Sequence, residues 1–266
     1  LVDVTSGVPQ GSIISTFLFC LQMNTAKASD TKALTMKYAV DVLIAIPICD
    51  DNQTSSITNT EIDNMSKWCS EHGLKLNPGK TKSMVISKRR NQVLRARHPS
   101  ETNEMKILGL TYNTKCNWKS HIAITCRDAS RRMYVLRQLK PFLIKPLLIQ
   151  VYRALIRSRL EYCSAVFVGL SAGDADELES VQRRCHKIIC GRECCCTSFT
   201  SLNERRIKHA MTIFHNMSTP HHILHDLYPS LLPHGKRLTL HHSKTKRRLS
   251  SFVPYCSRIF NDVQYS

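Results

Sequence analysis

The chain has 266 residues, enough for one large domain or two ordinary ones at ~100–200 residues each. Its 42% hydrophobic and 22% charged content argues against a wholly disordered chain, and apolar runs such as Val42 to Ile46, ended by Pro47, fall far short of the ~20 residues of a membrane-spanning helix. Thirty-eight Lys and Arg against 20 Asp and Glu give a net charge of +18, which points to a polyanionic partner, most often nucleic acid.

Residues 1–5 read as a strand end, so the chain is expected to continue a protein whose start lies upstream of Leu1. Gly7 to Ser12 reads as a turn with Ser12 as a helix N-cap, and Ile13 to Met23 as a buried helix. Leu34–Tyr38 and Val42–Ile48 read as strands flanking Ala39-Val40-Asp41. Ile57, Glu61, Met65 and Trp68 share a helical face that Gly73 terminates. Asn77-Pro78-Gly79 is a turn, Ser83–Ser87 a short strand, residues 88–104 a basic loop and Met105–Tyr112 one further strand.

Beyond Trp118 the period becomes helical. Ile122, Cys126, Ala129, Met133 and Leu136 form one apolar stripe, with Arg127, Arg131 and Arg132 off it. Pro146 suits the first turn of a second helix, in which Leu148, Val151, Leu155 and Ile156 face inward and Arg153, Arg157 and Arg159 face elsewhere. A third helix starts at Asp174, with Glu177 completing a capping-box variant, buries Leu178, Val181, Cys185, Ile188 and Ile189, and ends at Gly191. Residues 192–266 read as an irregular basic tail. The first 120 residues carry a net charge of +5 and the remainder +13, so most of the attraction for a polyanion lies in the second part.

Twelve cysteines could indicate a disulfide framework, but Cys20, Cys69, Cys126, Cys163 and Cys185 stand in apolar or amphipathic stretches, where a free thiol acts as a small hydrophobe. With no secretory leader pattern visible, a reducing compartment, nucleus or cytoplasm, is expected. Cys190, Cys194, His209 and His215 fall at C-x3-C-x14-H-x5-H, near zinc-ligand spacing. Cys195 and Cys196 crowd that pair, and Ile207, Met211 and Phe214 suggest a core helix through it, so zinc is not expected.

Several blocks carry a resemblance. They are Ser6-Gly7-Val8-Pro9-Gln10-Gly11-Ser12; Lys37-Tyr38-Ala39-Val40-Asp41; Trp68-Cys69 with Leu74-Lys75-Leu76-Asn77 and Lys80-Thr81-Lys82; and Lys106-Ile107-Leu108-Gly109-Leu110. Further on come Trp118-Lys119-Ser120-His121-Ile122, Leu160-Glu161-Tyr162-Cys163-Ser164 and Ser251-Phe252-Val253-Pro254. Their content and order resemble non-LTR (LINE-type) retrotransposon reverse transcriptases. The resemblance implies an α+β fold: a partial right-hand polymerase palm (β-hairpin plus helices) over residues 1–112, a mostly α-helical thumb over 113–191, and a basic Cys/His-containing region over 192–266. A palm without its early strands would have exposed edges and lower stability.

What the resemblance implies about residues is specific. Asp41 is a catalytic and Mg²⁺-binding carboxylate, and Lys80 approaches the leaving pyrophosphate. Gln10, Gly11 and Tyr38 border template and nucleotide. Arg127, Arg131, Arg132, Arg153 and Arg157 contact an RNA template and DNA primer from the thumb. The pattern departs from the family at Val40, which stands where the first Asp of the metal-binding pair belongs, and at Ser15-Thr16, which replaces a Gly-Pro. The palm Asp of an earlier strand is expected upstream of Ser6. Two-metal phosphoryl transfer needs clustered carboxylate oxygens, so the expectation is an RNA-directed DNA polymerase domain with impaired catalysis. The rivals are a non-catalytic RNA- or DNA-binding protein derived from it, and an unfolded product of a decayed element.

Overall fold

The computed structural model describes residues 11–47, 54–86, 100–191, 199–233, 235–240, 242 and 244–263. It divides into two compact units, Leu1–Met105 and Lys106–Ser266, with the division falling inside one short strand.

The first unit contains α1 (Ile13–Asn24), an antiparallel hairpin of β1 (Leu34–Tyr38) and β2 (Asp41–Ala45), and α2 (Thr54–Glu71). Strand alternation decides what the hairpin buries. Thr35 and Lys37 share a face with Ile44 and Val42, and that face meets the core; Leu34, Met36 and Tyr38 turn outward. The core is small, with Ala26, Met65 and Cys69 at its centre and Val42, Ile44, Trp68, Leu74 and Leu76 around them. It leaves most of α1 uncovered. Ile13, Ile14, Phe17, Leu18 and Leu21 are exposed and only Ser15 and Met23 are buried, which corrects the expectation of a buried helix. Gly73 follows α2 at φ +67°, as the stop signal required. Of the expected strand at Ser83, one parallel bridge to Glu101 is present, and Ser87 lies outside the described residues.

The second unit opens with a hairpin, β3 (Glu104–Ile107) and β4 (Leu110–Asn113), where the sequence suggested one strand. Leu108 and Gly109 make its turn in the left-handed region, at φ +47° and +85°. α3 (Lys119–Leu139) buries the whole expected stripe of Ile122, Cys126, Ala129, Met133 and Leu136. α4 (Lys145–Tyr152) carries its proline in the first turn and passes through a π turn (Arg153–Arg157) into α5 (Ser158–Leu160). The buried residues there are Leu148, Tyr152, Ile156 and Leu160, each four positions after the last. A regular helix drifts ~40° over each such step, and the wider π turn absorbs the drift. Leu155 is thereby left exposed, contrary to expectation, and Tyr152 takes the inward place.

α6 (Ala172–Cys190) starts two residues earlier than the Asp174 suggested by sequence. Ser171 is the cap: its Oγ accepts the Asp174 N–H at 3.2 Å and donates to the Asp174 carboxylate at 2.7 Å. The region read as an irregular tail is substantially helical, with α7 (Leu202–Asn216), α8 (Lys246–Leu249) and α9 (Phe252–Val263). Its own core gathers Ala210, Phe214, Met217, Leu238 and Cys256 with Ala165 and Val168. Polar residues hid this period: His209, Lys208 and His215 occupy the exposed side of α7, while Arg206 is buried over the Phe167 ring, 5.6 Å from its centroid.

Eight cysteines among the described residues are free thiols. Cys69, Cys126, Cys185 and Cys256 are buried, and burial pushes the last three thiols up to about 12. Cys20 and Cys163 are exposed, against the expectation that they would serve as core.

His121, from the W-x-x-H-I block, is buried against Trp118 and Phe167, and its Nδ1 accepts a long hydrogen bond from the Thr111 N–H at 3.4 Å. Burial, with Lys106 adding a like charge, lowers its pKa from the usual 6.5. The unfolded chain therefore binds the proton more readily, so stability is intact above ~6.5 and declines as pH falls through that value. His121→Asn is expected to flatten the fall in melting temperature between pH 7.5 and 5.5. Equal slopes in parent and variant would refute this origin.

Candidate functional site

The hairpin positions the residues of the K-Y-A-V-D block. Tyr38 pairs with Asp41, so the connection is the two-residue turn Ala39-Val40, and Asp41 begins β2 rather than sitting in the turn. Ala39 adopts φ +50°, an uncommon conformation for a residue with a β-carbon. Val40 projects to solvent at 74% exposure, and Tyr38 and Asp41 are exposed beside it.

Lys37, the first residue of the block, turns inward. Its Nζ donates to the carbonyls of Met23, Asn24 and Ala26 at 2.9, 2.8 and 2.8 Å. Those oxygens lie at and just past the C-terminal end of α1, where carbonyls lack helical partners and the helix dipole favours a cation. The lysine thus fastens the hairpin to α1. Sequence reading missed this role, although its signal was present: a lysine on the inward face of a period-two strand must find acceptors. Glu61 works similarly. Buried on α2, its carboxylate accepts the Ser29 N–H, the Asp30 N–H and the Ser29 hydroxyl, fixing the segment between α1 and β1.

The other residues singled out by sequence are dispersed. Gln10 lies outside the described residues. Gly11 is exposed at φ +87°, a conformation that suits glycine, with open space where a β-carbon would stand. Lys80 is exposed after a turn in which Asn77 Oδ1 accepts the Gly79 N–H at 3.0 Å. Among the described residues neither Lys80 nor Asp41 forms an ion pair.

On α3, Arg127 and Arg131 are exposed one turn apart, and Arg131 reaches Asp128 at 3.7 Å. Arg153 is exposed at the start of the π turn. Arg132 is half-buried and donates to the Leu155 carbonyl at 3.5 Å. Arg157 is also half-buried, 3.5 Å from the Glu161 carboxylate, and the same carboxylate accepts two hydrogen bonds from Arg205 of α7. Desolvation, then the neighbouring Arg205, holds the Arg157 guanidinium below its usual range, while the hydrogen bond to Glu161 raises that of Arg205. Arg127, Arg131 and Arg153 therefore offer cations outward, and Arg132 and Arg157 hold the helices together.

Fitness for metal can be judged from the donors. Among the described residues no group of three or more His, Cys, Asp or Glu side chains is placed to hold an ion. At the hairpin the carboxylate of Asp41 stands beside a valine, an alanine and a phenol, which does not fit a pair of Mg²⁺ ions that need several hard oxygens. Of the zinc-spaced set, Cys190 is half-buried, His209 and His215 are exposed, and Cys194 lies outside the described residues.

Residues 2–112 match the family model described as reverse transcriptase (RNA-dependent DNA polymerase). The match takes in α1, the first hairpin, α2 and β3 and ends inside β4. Domains of that family generally use Mg²⁺ and bind nucleic-acid template and primer. No curated protein and no solved structure gives a match. No helix among the described residues is long and apolar enough to cross a membrane.

Lys37→Met retains the stem and removes three hydrogen bonds. It is expected to destabilise the first unit by about 1–3 kcal/mol, as freed carbonyls lose a charged donor. Denaturant unfolding followed by Trp68 fluorescence measures this; an unchanged midpoint would mean that the lysine is dispensable to the fold.

Proposed function

We propose that the chain is the rear part of a non-LTR retrotransposon reverse transcriptase, with nucleic-acid binding retained and polymerisation impaired. The observation that carries this reading is Val40. It occupies the turn of the hairpin at the position where the resembled family has the first of two adjacent carboxylates. Valine offers no lone pair and adds apolar bulk, so Asp41 alone supplies hard oxygen there. In-line attack of a primer hydroxyl on a nucleotide phosphate depends on neutralising charge that builds up in the transition state, and a lone exposed carboxylate is a poor anchor for that.

What remains suits holding rather than making a strand. Arg127 and Arg131 project from α3 and Arg153 from the neighbouring helix, in a unit that carries most of the positive charge. Guanidinium groups of this kind grip phosphates without reading bases. Three regions follow from the resemblance: 1–112 from the palm, 113–191 from the thumb, and 192–266 a basic region.

Primer extension on an RNA template with a DNA primer and Mg²⁺ tests the catalytic part. No synthesis above background is expected from this chain, and sustained Mg²⁺-dependent incorporation would overturn the reading. Binding of the same template–primer is expected to fall steeply with salt. The double variant Arg127→Ala with Arg131→Ala should reduce the slope of log affinity on log salt by about 2, near one unit per lost phosphate contact. Salt-independent binding would remove the case for a phosphate-holding surface.

A further inference from the structure

The second unit carries a separate basic feature that the family match does not reach. From Leu227 to Asn261 the chain has no Asp or Glu and seven Lys and Arg. Lys244, Lys246, Arg247 and Arg248 are all exposed, and none forms an ion pair among the described residues. A run of charge is ordinarily only a solvated face. Here the backbone beneath it is fixed from several sides.

Thr245 caps the single turn of α8, its Oγ1 accepting the Arg248 N–H at 3.3 Å. The hydroxyls of Ser250 and Ser251 donate to the carbonyls of Arg247 and Arg248 at 3.1 and 2.6 Å. Arg258, from α9, donates to the Leu249 carbonyl and, at 3.3 Å, to that of Pro254, which places a further cation behind the turn. On the far side the chain passes Gly169 so closely that a β-carbon there would stand 2.2 Å from the Ser250 carbonyl oxygen. The cationic stems are free while their anchor points are held, so binding need not order the backbone first.

The geometry points to this turn, with Lys246, Arg247 and Arg248 as its contacts, as a second docking surface for nucleic-acid phosphates, distinct from the arginines of α3. It rests on the reading that the chain holds nucleic acid, and adds a place that neither the resemblance nor the family match assigns. The surroundings select among polyanions. Every exposed side chain from Lys244 to Arg248 is polar, whereas an interfacial membrane helix needs an apolar face to bury. The adjoining groove mixes aliphatic Pro229, Leu240, Leu249 and Val253 with polar Thr239, Ser257 and Arg258, and none of the side chains lining it is an aromatic ring on which a base could stack. Contact is therefore with the backbone of a strand or duplex, without sequence preference.

The test uses the full chain and a labelled 20-base-pair RNA–DNA duplex, with affinity followed by anisotropy from 50 to 300 mM KCl. In Lys246→Gln/Arg247→Gln/Arg248→Gln, the salt slope is expected to drop by about 2–3 and affinity to weaken about tenfold or more at the low-salt end. The charge-keeping variant Lys246→Arg/Arg247→Lys/Arg248→Lys should bind as the parent does, and matching melting curves show that the fold persists. Unchanged binding by the glutamine variant, with the α3 variant weakened, overturns this surface and leaves the proposed function standing. The reverse result supports the turn and removes the α3 arginines. A parent that binds no duplex overturns both. Turn-dependent capture by phosphatidylserine vesicles, with duplex binding unaffected, assigns the surface to a membrane and overturns the proposal.

Discussion

One carboxylate held between two guanidinium groups ties the second unit together. Glu161 faces Arg157 one helical turn back and Arg205 on α7, so the helical core around α3, α4 and α6 is joined to the module built on α7 and α9. The residues on either side extend the joint. Leu160 is buried in the first core, Ser164 is buried, and the Tyr162 hydroxyl donates to the Leu108 carbonyl at 2.9 Å, with its ring against Gly109. A β-carbon at 109 would crowd that ring, 3.1 Å from its edge, and would be strained at its positive φ. The L-E-Y-C-S block and the L-G turn thus form a structural fastening made of residues far apart in sequence.

The same economy governs the first unit. In the K-Y-A-V-D block the lysine is structural, the tyrosine and valine are exposed, and the aspartate opens a strand. A block of chemically suggestive residues divides between fold and surface according to strand alternation, which sends neighbours to opposite faces. The small core of this unit leaves α1 and the outer face of β1 bare over a run of large apolar side chains. Apolar surface of that extent is costly in water.

Much of the fold was legible because period reports burial. The α3 stripe, the α2 face, the proline opening α4 and the glycines after α2 and α6 all follow from local rules. Failures arose where a tertiary partner overrode the local pattern. The π turn kept Leu148 and Ile156 inward as expected but left Leu155 outside and brought in Tyr152 and Leu160, because a stripe repeating every four residues must stay on one line. Met105–Tyr112 became a hairpin because Leu108 and Gly109 reverse the chain. The polar appearance of residues 199–263 concealed two amphipathic helices whose apolar sides meet each other.

By itself the sequence determined the helical periods, the charge surplus of the second part and the presence of a valine, with no oxygen to offer, at position 40, since each is a property of residue type and spacing. Only the tertiary structure decided which cations point outward. Arg127, Arg131 and the Lys246–Arg248 turn face solvent, whereas Lys37, Arg157, Arg205 and Arg206 are drawn inward. The physical reason is that a buried charge is tolerated only beside a partner, and the partners here, helix-end carbonyls, a glutamate and an aromatic face, are brought close by folding.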